Sequence, residues 1–316
     1  MKIGYLTDIH ARAENPIGRT DNFNKSLFLK LEECGELFKD CDIVLCGGDW
    51  GDRPDIPYSV YNDLAKMLKS WNKPILGIIG SHDYYGYEVK SLKRTAVGAL
   101  VASGVVELIG SAGMDSAIQF KDVVICGTPH TFWLDDKPEN YYHPRYSSSL
   151  QIQLTHGSLL ENSAPFQHTL LSDVRTESDI VLGAHYHPGW KKIHKLREKV
   201  FLHPGAIARL DNTGVSRIPA IAIIDTAYSF TDVDKCFSII PLSTAILHPF
   251  KDKVKELVDE IPTSLVNKVL DMIQATQVNM IDIKKQLPLV AKELGYDRIE
   301  ILEEAFNLIE LAEKEK

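Results

Sequence analysis

Five times within its first 187 residues the chain runs a short strand-like segment directly into a cluster of histidine, aspartate, serine or glycine. The clusters are Thr7-Asp8-Ile9-His10, Gly47-Gly48-Asp49-Trp50-Gly51-Asp52, Gly80-Ser81-His82-Asp83, Thr155-His156-Gly157 and Gly183-Ala184-His185-Tyr186-His187. Open α/β sheets bind ligands beyond the carboxyl ends of their strands, so five such ends converge on one place. Residues two apart in an extended chain share a side, which lets Asp8 with His10, or His185 with His187, grip one ion or two neighbouring ions. The donors are histidine and carboxylate without cysteine, a set suited to Mn²⁺, Fe²⁺ or Zn²⁺ rather than to a structural zinc. So many donors exceed the needs of one ion, and a pair of ions sharing a bridging carboxylate is the natural count. Taken singly, an Asp-x-His or a Gly-Asp-x-x-Asp is most often a turn; the weight lies in all five occurring in order.

The segments between the clusters define an α/β fold. Strands at Lys2–Thr7, Asp42–Cys46 and Pro74–Ile79 alternate with helical patterns over Ser26–Phe38, Ser59–Ser70 and Val89–Ser103, which predicts βαβ units around a buried sheet. Further strands are expected at Val105–Ile109, Ile118–Cys126, Leu150–Thr155, Asp179–Leu182 and Lys199–Leu202, with a closing β pair at Ile218–Ile224 and Cys236–Pro241. From Pro249 onward the pattern is helical only, placing a boundary near residue 246 between an α/β domain (1–245) and a helical module (246–316). With 44% hydrophobic and 25% charged residues over 316 positions, the chain can bury a sizeable core and is neither disordered nor fibrous. No apolar run reaches the ~18 residues of a membrane span. The chain opens as a strand, leaving no room for a signal peptide. The five cysteines are odd in number and form no CxxC pair, which favours reduced thiols and a cytoplasmic location.

The ordered motifs resemble those of the calcineurin-like metallophosphoesterase superfamily: D-x-H, G-D-x-x-D, G-N-H-[ED], a lone H and G-H-x-H. Within that superfamily the chain most resembles the nuclease subunit of SbcCD-type DNA-repair exonucleases. The features pointing there are Thr7-Asp8-Ile9-His10 near the start, Gly48-Asp49, the run His203-Pro204-Gly205-Ala206-Ile207-Ala208-Arg209 and the β pair ending at Ile240-Pro241-Leu242. The resemblance covers about residues 1–245 and implies a β-sandwich flanked by helices, followed here by an all-helical C-terminal extension. It also implies two divalent ions, Mn²⁺ foremost, with Fe²⁺, Zn²⁺ or Mg²⁺ as alternatives. Carried over by position, Asp8, His10, Asp49 and His187 would hold one ion, and Asp49 would bridge to a second held by His156, His185 and Ser81. A hydroxide between the ions would attack phosphorus in line. His82 would face the leaving oxygen as general acid or cationic stabiliser, and Asp52 would orient it. The chain departs from the family at Ser81, where the motif has Asn, a longer and better neutral ligand.

Three local features bear on the substrate. Lys191, Lys192, His194, Lys195, Arg197 and Lys199 come after the last histidine pair and offer a basic run for a phosphate backbone; a solvated hairpin would read the same. Thr131–Ser149 interleaves Phe132, Trp133, Tyr141, Tyr142 and Tyr146 with His143 and Arg145, a composition suited to stacking bases or to packing a long loop. Arg209 is a candidate phosphate contact. Against these stands a net charge of −8, which argues against an autonomous high-affinity nucleic-acid binder but leaves room for a local patch or a partner.

Residues 246–316 carry a net charge of −4 and so form no DNA clamp. An Asp297-x-x-Glu300 capping box starts a helix with Ile299, Leu302, Phe306 and Ile309 on one face. By resemblance this module would hold the coiled coil of an SbcC-type ATPase; packing on its own core is the plainer alternative. The family's separate DNA-gripping cap has no counterpart in these residues. A homodimer through the apolar helix at Ser26–Phe38 is a further expectation. Three readings result: a DNA nuclease subunit of repair and recombination, a stand-alone phosphoesterase acting on a small phosphodiester or cyclic nucleotide, and an inactive scaffold.

Overall fold

In β1 (Lys2–Leu6) alternate side chains part to opposite faces, Ile3 and Tyr5 into one apolar core and Leu6 into another. β2 (Ile43–Cys46) repeats the division, with Ile43 and Leu45 on the first side and Val44 and Cys46 on the second. Strands buried on both faces read as continuous apolar runs, which is why these segments lack polar alternation. β3 (Ile75–Gly77) and β4 (Glu107–Leu108) extend the same sheet in parallel. Helices α1 (Phe23–Leu37), α2 (Tyr58–Ser70) and α3 (Ala96–Ala102) provide its outer cover through Leu27, Leu31, Val60, Leu64, Val97 and Leu100.

The chain then builds a second sheet from β5 (Ala117–Phe120), β6 (Val123–Thr128) and β7 (Leu150–Thr155). After a two-stranded ribbon of β8 (Leu159–Leu160) and β9 (Thr169–Leu170), it adds β10 (Ile180–Gly183), β11 (His194–Leu196) and β12 (Lys199–Leu202). β6, β7, β10 and β12 run parallel, with β5 and β11 antiparallel at the edges. β13 (Ala220–Asp225) returns antiparallel beside β1, and β14 (Phe237–Pro241) pairs antiparallel with β13 to close the first sheet. Ile125, Ile152, Leu154, Ile180 and Leu182 of the second sheet meet Ile3, Tyr5, Ile43 and Leu45 of the first, so the core is a sandwich.

This computed structural model describes residues 1–86, 88–111, 114–211, 217–245 and 249–250, and Met1–Lys251 forms one compact unit. The helical module predicted for 246–316, its Asp297-x-x-Glu300 cap included, lies outside the described residues apart from Pro249 and Phe250. Two predicted elements divide. Val89–Ser103 is a 3₁₀ turn (Val89–Arg94) followed by α3, because extended Thr95 accepts the Gly98 N–H at 3.1 Å and starts a new helix. Ile118–Cys126 is a hairpin rather than one strand, turning where Lys121 adopts φ 52°. Among the described residues no helix is long and apolar enough to cross a membrane.

Candidate metal centre

The loops leaving β1 and β2 run side by side, with the N–H groups of Asp8, His10 and Ala11 donating to the carbonyls of Gly48, Asp49 and Trp50 at 3.0–3.1 Å. Four of the predicted ligands sit in the left-handed region: Asp8 (φ 54°), His10 (47°), Asp49 (53°) and His185 (71°). Such backbone is costly for residues with a Cβ and persists where the surroundings over-determine it, a pattern concentrated at functional sites. Gly48 (φ 101°) supplies the turn before Asp49, and a Cβ at Gly80 would collide with the Asp49 carboxylate and the His156 ring. Glycine at these two places lets the second and third loops close on one point.

All seven predicted ligands arrive there. Asp8, His10, Asp49 and His187 each offer a donor atom within 4.8 Å of the others; Asp49, His156 and His185 form a second such group sharing Asp49. His10 Nε2 lies 3.0 Å from His187 Nε2 and 3.5 Å from Asp49 Oδ2, while His156 Nε2 approaches the same Asp49 oxygen at 3.2 Å. The Ser81 hydroxyl donates to that oxygen at 3.3 Å, so the residue standing in place of the motif's Asn meets the carboxylate that the two groups share. Thr7 Oγ1 and the His185 N–H both donate to Asp8, fixing its carboxylate.

The donor set fits divalent cations. His156 Nδ1 lies 2.7 Å from the Gly47 carbonyl and must donate to it, which leaves Nε2 of the neutral ring a lone pair aimed at a carboxylate. Two acceptors so close repel unless a proton or a cation lies between them. His156 Nε2 and His10 Nδ1 are buried with no hydrogen-bond partner among the described residues. The titration behaviour says the same: burial lowers His156, yet the charge of Asp49 beside it outweighs this and lifts it to about 9. Burial raises Asp49, and His156 and His82 together overcome this and hold it well below the usual carboxylate range. A proton thus occupies energetically the place a divalent cation would take. His10 and His185 are pushed down, chiefly by burial, and stay neutral as ligands must be.

His82 stands beside the first group, its ring 4.8 Å from that of His10, and its backbone N–H donates to Asp49 Oδ1 at 2.8 Å. The expected orienting role of Asp52 falls to its main chain: His82 Nδ1 meets the Asp52 carbonyl at 2.6 Å. The Asp52 carboxylate turns instead toward Arg12 (3.1 Å) and His10 Nδ1 (3.7 Å), and with His10 and His82 it forms a third close group of donors.

Asp83 ends the third motif, where the family pattern has an acid, and the motif alone assigns it no role. Its buried carboxylate accepts the N–H groups of Asp49 and Trp50 at 2.9 Å and of Gly80 at 2.7 Å, tying two ligand loops together. Burial and then Asp49's charge push it up to about 7 against those three donors. His130, outside every motif, follows β6 into the site with its ring 5.6 Å from His185 and 6.0 Å from His156. The signal available for it was its place two residues beyond a buried strand.

The predicted substrate contacts fare differently. Arg209 is only 3% exposed, and its Nη1 donates to the Arg217 carbonyl at 3.2 Å, so burial and not a surface phosphate occupies it. Lys191 and Lys192 are exposed at the base of the β11–β12 hairpin. The rest of that basic run is largely engaged: His194 pairs with Glu161 at 2.7 Å, Lys195 with Glu198 at 3.8 Å, and Arg197 with the carbonyls of Ser172 and Val174.

No curated protein matches the chain in sequence. Among solved structures, a protein of Thermus thermophilus is 11% identical over 76% of this chain and 98% of its own, with a TM-score of 0.44. Sulfate thiohydrolase SoxB of the same organism, solved with glycerol, is 10% identical over 87% of this chain and 60% of its own, with a TM-score of 0.43. A predicted phosphoesterase of Streptococcus pneumoniae is 15% identical over 71% and 83%, at 0.30. The calcineurin-like phosphoesterase family model matches residues 1–189, well over half of the sequence and all of the sandwich but two strands at one edge of each sheet, and the chain belongs to that family.

Proposed function

We propose that the chain is a two-metal phosphodiesterase that cleaves DNA. The observation that carries the phosphodiesterase reading is the sharing of Asp49 between two groups of ligands, with His82 held against the same carboxylate. Asp8, His10, Asp49 and His187 would hold one ion, and Asp49, His156, His185 and the Ser81 hydroxyl would hold the other. Two divalent cations in such a cradle polarise phosphoryl oxygens and lower the pKa of bound water. His82 serves the leaving oxygen. Burial disfavours its imidazolium, but Asp49 and the Asp52 carbonyl outweigh this and raise its pKa, which favours the protonated ring a general acid needs. The Nδ1 contact to Asp52 fixes the ring so that Nε2 is the nitrogen left to act.

The DNA assignment rests on the resemblance of residues 1–245 to SbcCD-type nuclease subunits, and with it comes the proposal that residues 246–316 bind a coiled-coil ATPase. A second reading, hydrolysis of a small phosphodiester, is favoured by the net charge of −8 and by the acidic partners within the hairpin's basic run. The test is Mn²⁺-dependent cleavage of linear single- and double-stranded DNA by the whole chain, with His82→Ala beside it. Cleavage that disappears in the variant supports the nuclease. Intact DNA with hydrolysis of a small diester moves the substrate to the second reading, and inertness toward both leaves a scaffold.

A further inference from the structure

The segment between β6 and β7 leaves the site at His130 and turns outward. His130 is anchored: its N–H donates to the Ile79 carbonyl at 3.1 Å, and the Tyr84 hydroxyl donates to its carbonyl at 2.9 Å. Next along the chain come Phe132 and Trp133, 55% and 64% exposed, packed edge to face with ring centroids 4.5 Å apart. The backbone under these rings is fixed. Asn140 donates to the carbonyls of Trp133 and Leu134 at 2.7 and 3.2 Å, and Leu134 is buried in the core outside the second sheet. Asp135 accepts the Ser158 N–H at 2.9 Å and the Tyr141 hydroxyl at 2.6 Å.

Of the aromatics in this stretch, Tyr141 is core and Tyr146 is tied to His143, so packing accounts for part of the composition. It does not account for two large adjacent rings held in water by a rigid support. Single exposed apolar residues are ordinary; a preorganised pair beside a reaction centre is a recognition feature. Two residues lie between His130 and Trp133, so their Cα atoms are at most about 11 Å apart, near enough for a nucleotide beside a phosphodiester held at the ligand groups to meet the rings. Both rings are more than half exposed and carry no charge, which suits a nucleobase better than a phosphate.

We propose that Phe132 and Trp133 form a stacking platform for a base flanking the scissile phosphodiester, making the substrate a single strand or a frayed end. This rests on the phosphodiesterase reading and deepens it by naming the group next to the phosphate. The protein carries its own reporter. Trp50, Trp71 and Trp190 are 1%, 7% and 6% exposed, so Trp133 dominates the solvent-exposed tryptophan emission.

The experiment titrates the whole chain with a short oligothymidylate in Ca²⁺, reading tryptophan fluorescence, and repeats it with an oligomer of equal length whose bases are replaced by abasic sites. The expected result is quenching by the base-bearing oligomer and little by the abasic one, with the signal absent in Trp133→Phe. Anisotropy of a labelled oligothymidylate then shows Phe132→Ala/Trp133→Ala weakening binding by roughly five- to a hundredfold while the abasic oligomer is unaffected. Equal binding by wild type and double variant overturns the platform, as does a Trp133 signal that follows protein concentration alone, which marks a contact between copies of the chain. Binding through the platform without cleavage in Mn²⁺ leaves the platform standing and removes the nuclease. Hydrolysis of small diesters with no oligomer binding removes the platform and leaves the phosphodiesterase.

Discussion

The two halves of the candidate centre are built unequally. The half formed by Asp8, His10, Asp49 and His187 draws four charged or imidazole donors, and Asp8 is further fixed by Thr7 and by the His185 N–H. The half formed by Asp49, His156 and His185 has three such donors, with the Ser81 hydroxyl bonded to the shared carboxylate at 3.3 Å. One carboxylate belongs to both. A site assembled this way has a well-furnished first position and a leaner second one, coupled through Asp49. Substitutions therefore divide into those that remove the coupling, those that spare both ions, and those that act on one half.

Asp49→Ala breaks the comparison outright. With the shared ligand gone, both positions empty and turnover falls below detection; metal content measured on the purified variant checks it, and two ions retained would show that Asp49 does not bridge. His82→Ala is next, lowering turnover by about 10²- to 10⁴-fold with both ions still bound. Full activity in that variant removes His82 from the chemistry. Asp83→Asn strikes the support beneath both halves, because an amide cannot accept three backbone N–H groups as the carboxylate does. Metal affinity drops by about 10- to 100-fold at both positions together. A drop confined to one position would mean that the two loops are positioned independently.

How legible these halves were in the sequence depends on how each is made. Ligands two apart at a strand end, such as Asp8 with His10 and His185 with His187, announce themselves, since alternation and the chemistry of the side chains coincide. The βαβ order of the first sheet was readable for a similar reason, β1 and β2 being apolar on both faces. The hidden features depend on main-chain or long-range contacts. Asp52 orients His82 through a carbonyl, which any residue possesses. Arg209 has the look of a phosphate contact until its burial is seen. His130 reaches the site only because β6 lies next to β7, a neighbour relation no local pattern carries. Val89–Ser103 reads as a single helix because the break at Thr95 is made by one side chain capping α3.

Away from the ligands, the turn from His203 to Arg209 holds the loop after β1 through Ile207 and Ala208, whose N–H groups donate to Thr7 and Asp8. His203 is buried there and pushed down to about 3, first by burial and then by Arg217. Its folded-state pKa lies below the unfolded value of about 6.5, so the unfolded chain binds the extra proton and stability falls as pH drops from about 6.5 toward 3. Between pH 6.5 and 5 the loss from this residue is about 2 kcal/mol. Urea unfolding across that range should show a shallower decline in His203→Gln, whose side chain keeps an acceptor for Gly205 but takes no proton. An unchanged slope would assign the acid sensitivity elsewhere.

The smallest effect sharpens the comparison most. Ser81→Asn replaces a hydroxyl with an amide carbonyl, a neutral oxygen carried farther from the backbone and a stronger donor toward a hard cation. The serine oxygen is 3.3 Å from Asp49 Oδ2, the oxygen that His156 Nε2 approaches at 3.2 Å and His10 Nε2 at 3.5 Å. Position 81 belongs to the second, leaner half of the proposed ligand set, so the added reach is expected to tell there. Affinity at the second position should tighten by on the order of tenfold, with the first position unmoved, seen as a change in only the weaker step of a Mn²⁺ titration by calorimetry. If both steps shift together, the coupling through Asp49 dominates and the halves are not separable. If neither shifts, position 81 contributes no ligand, and the second half is completed by something other than this side chain.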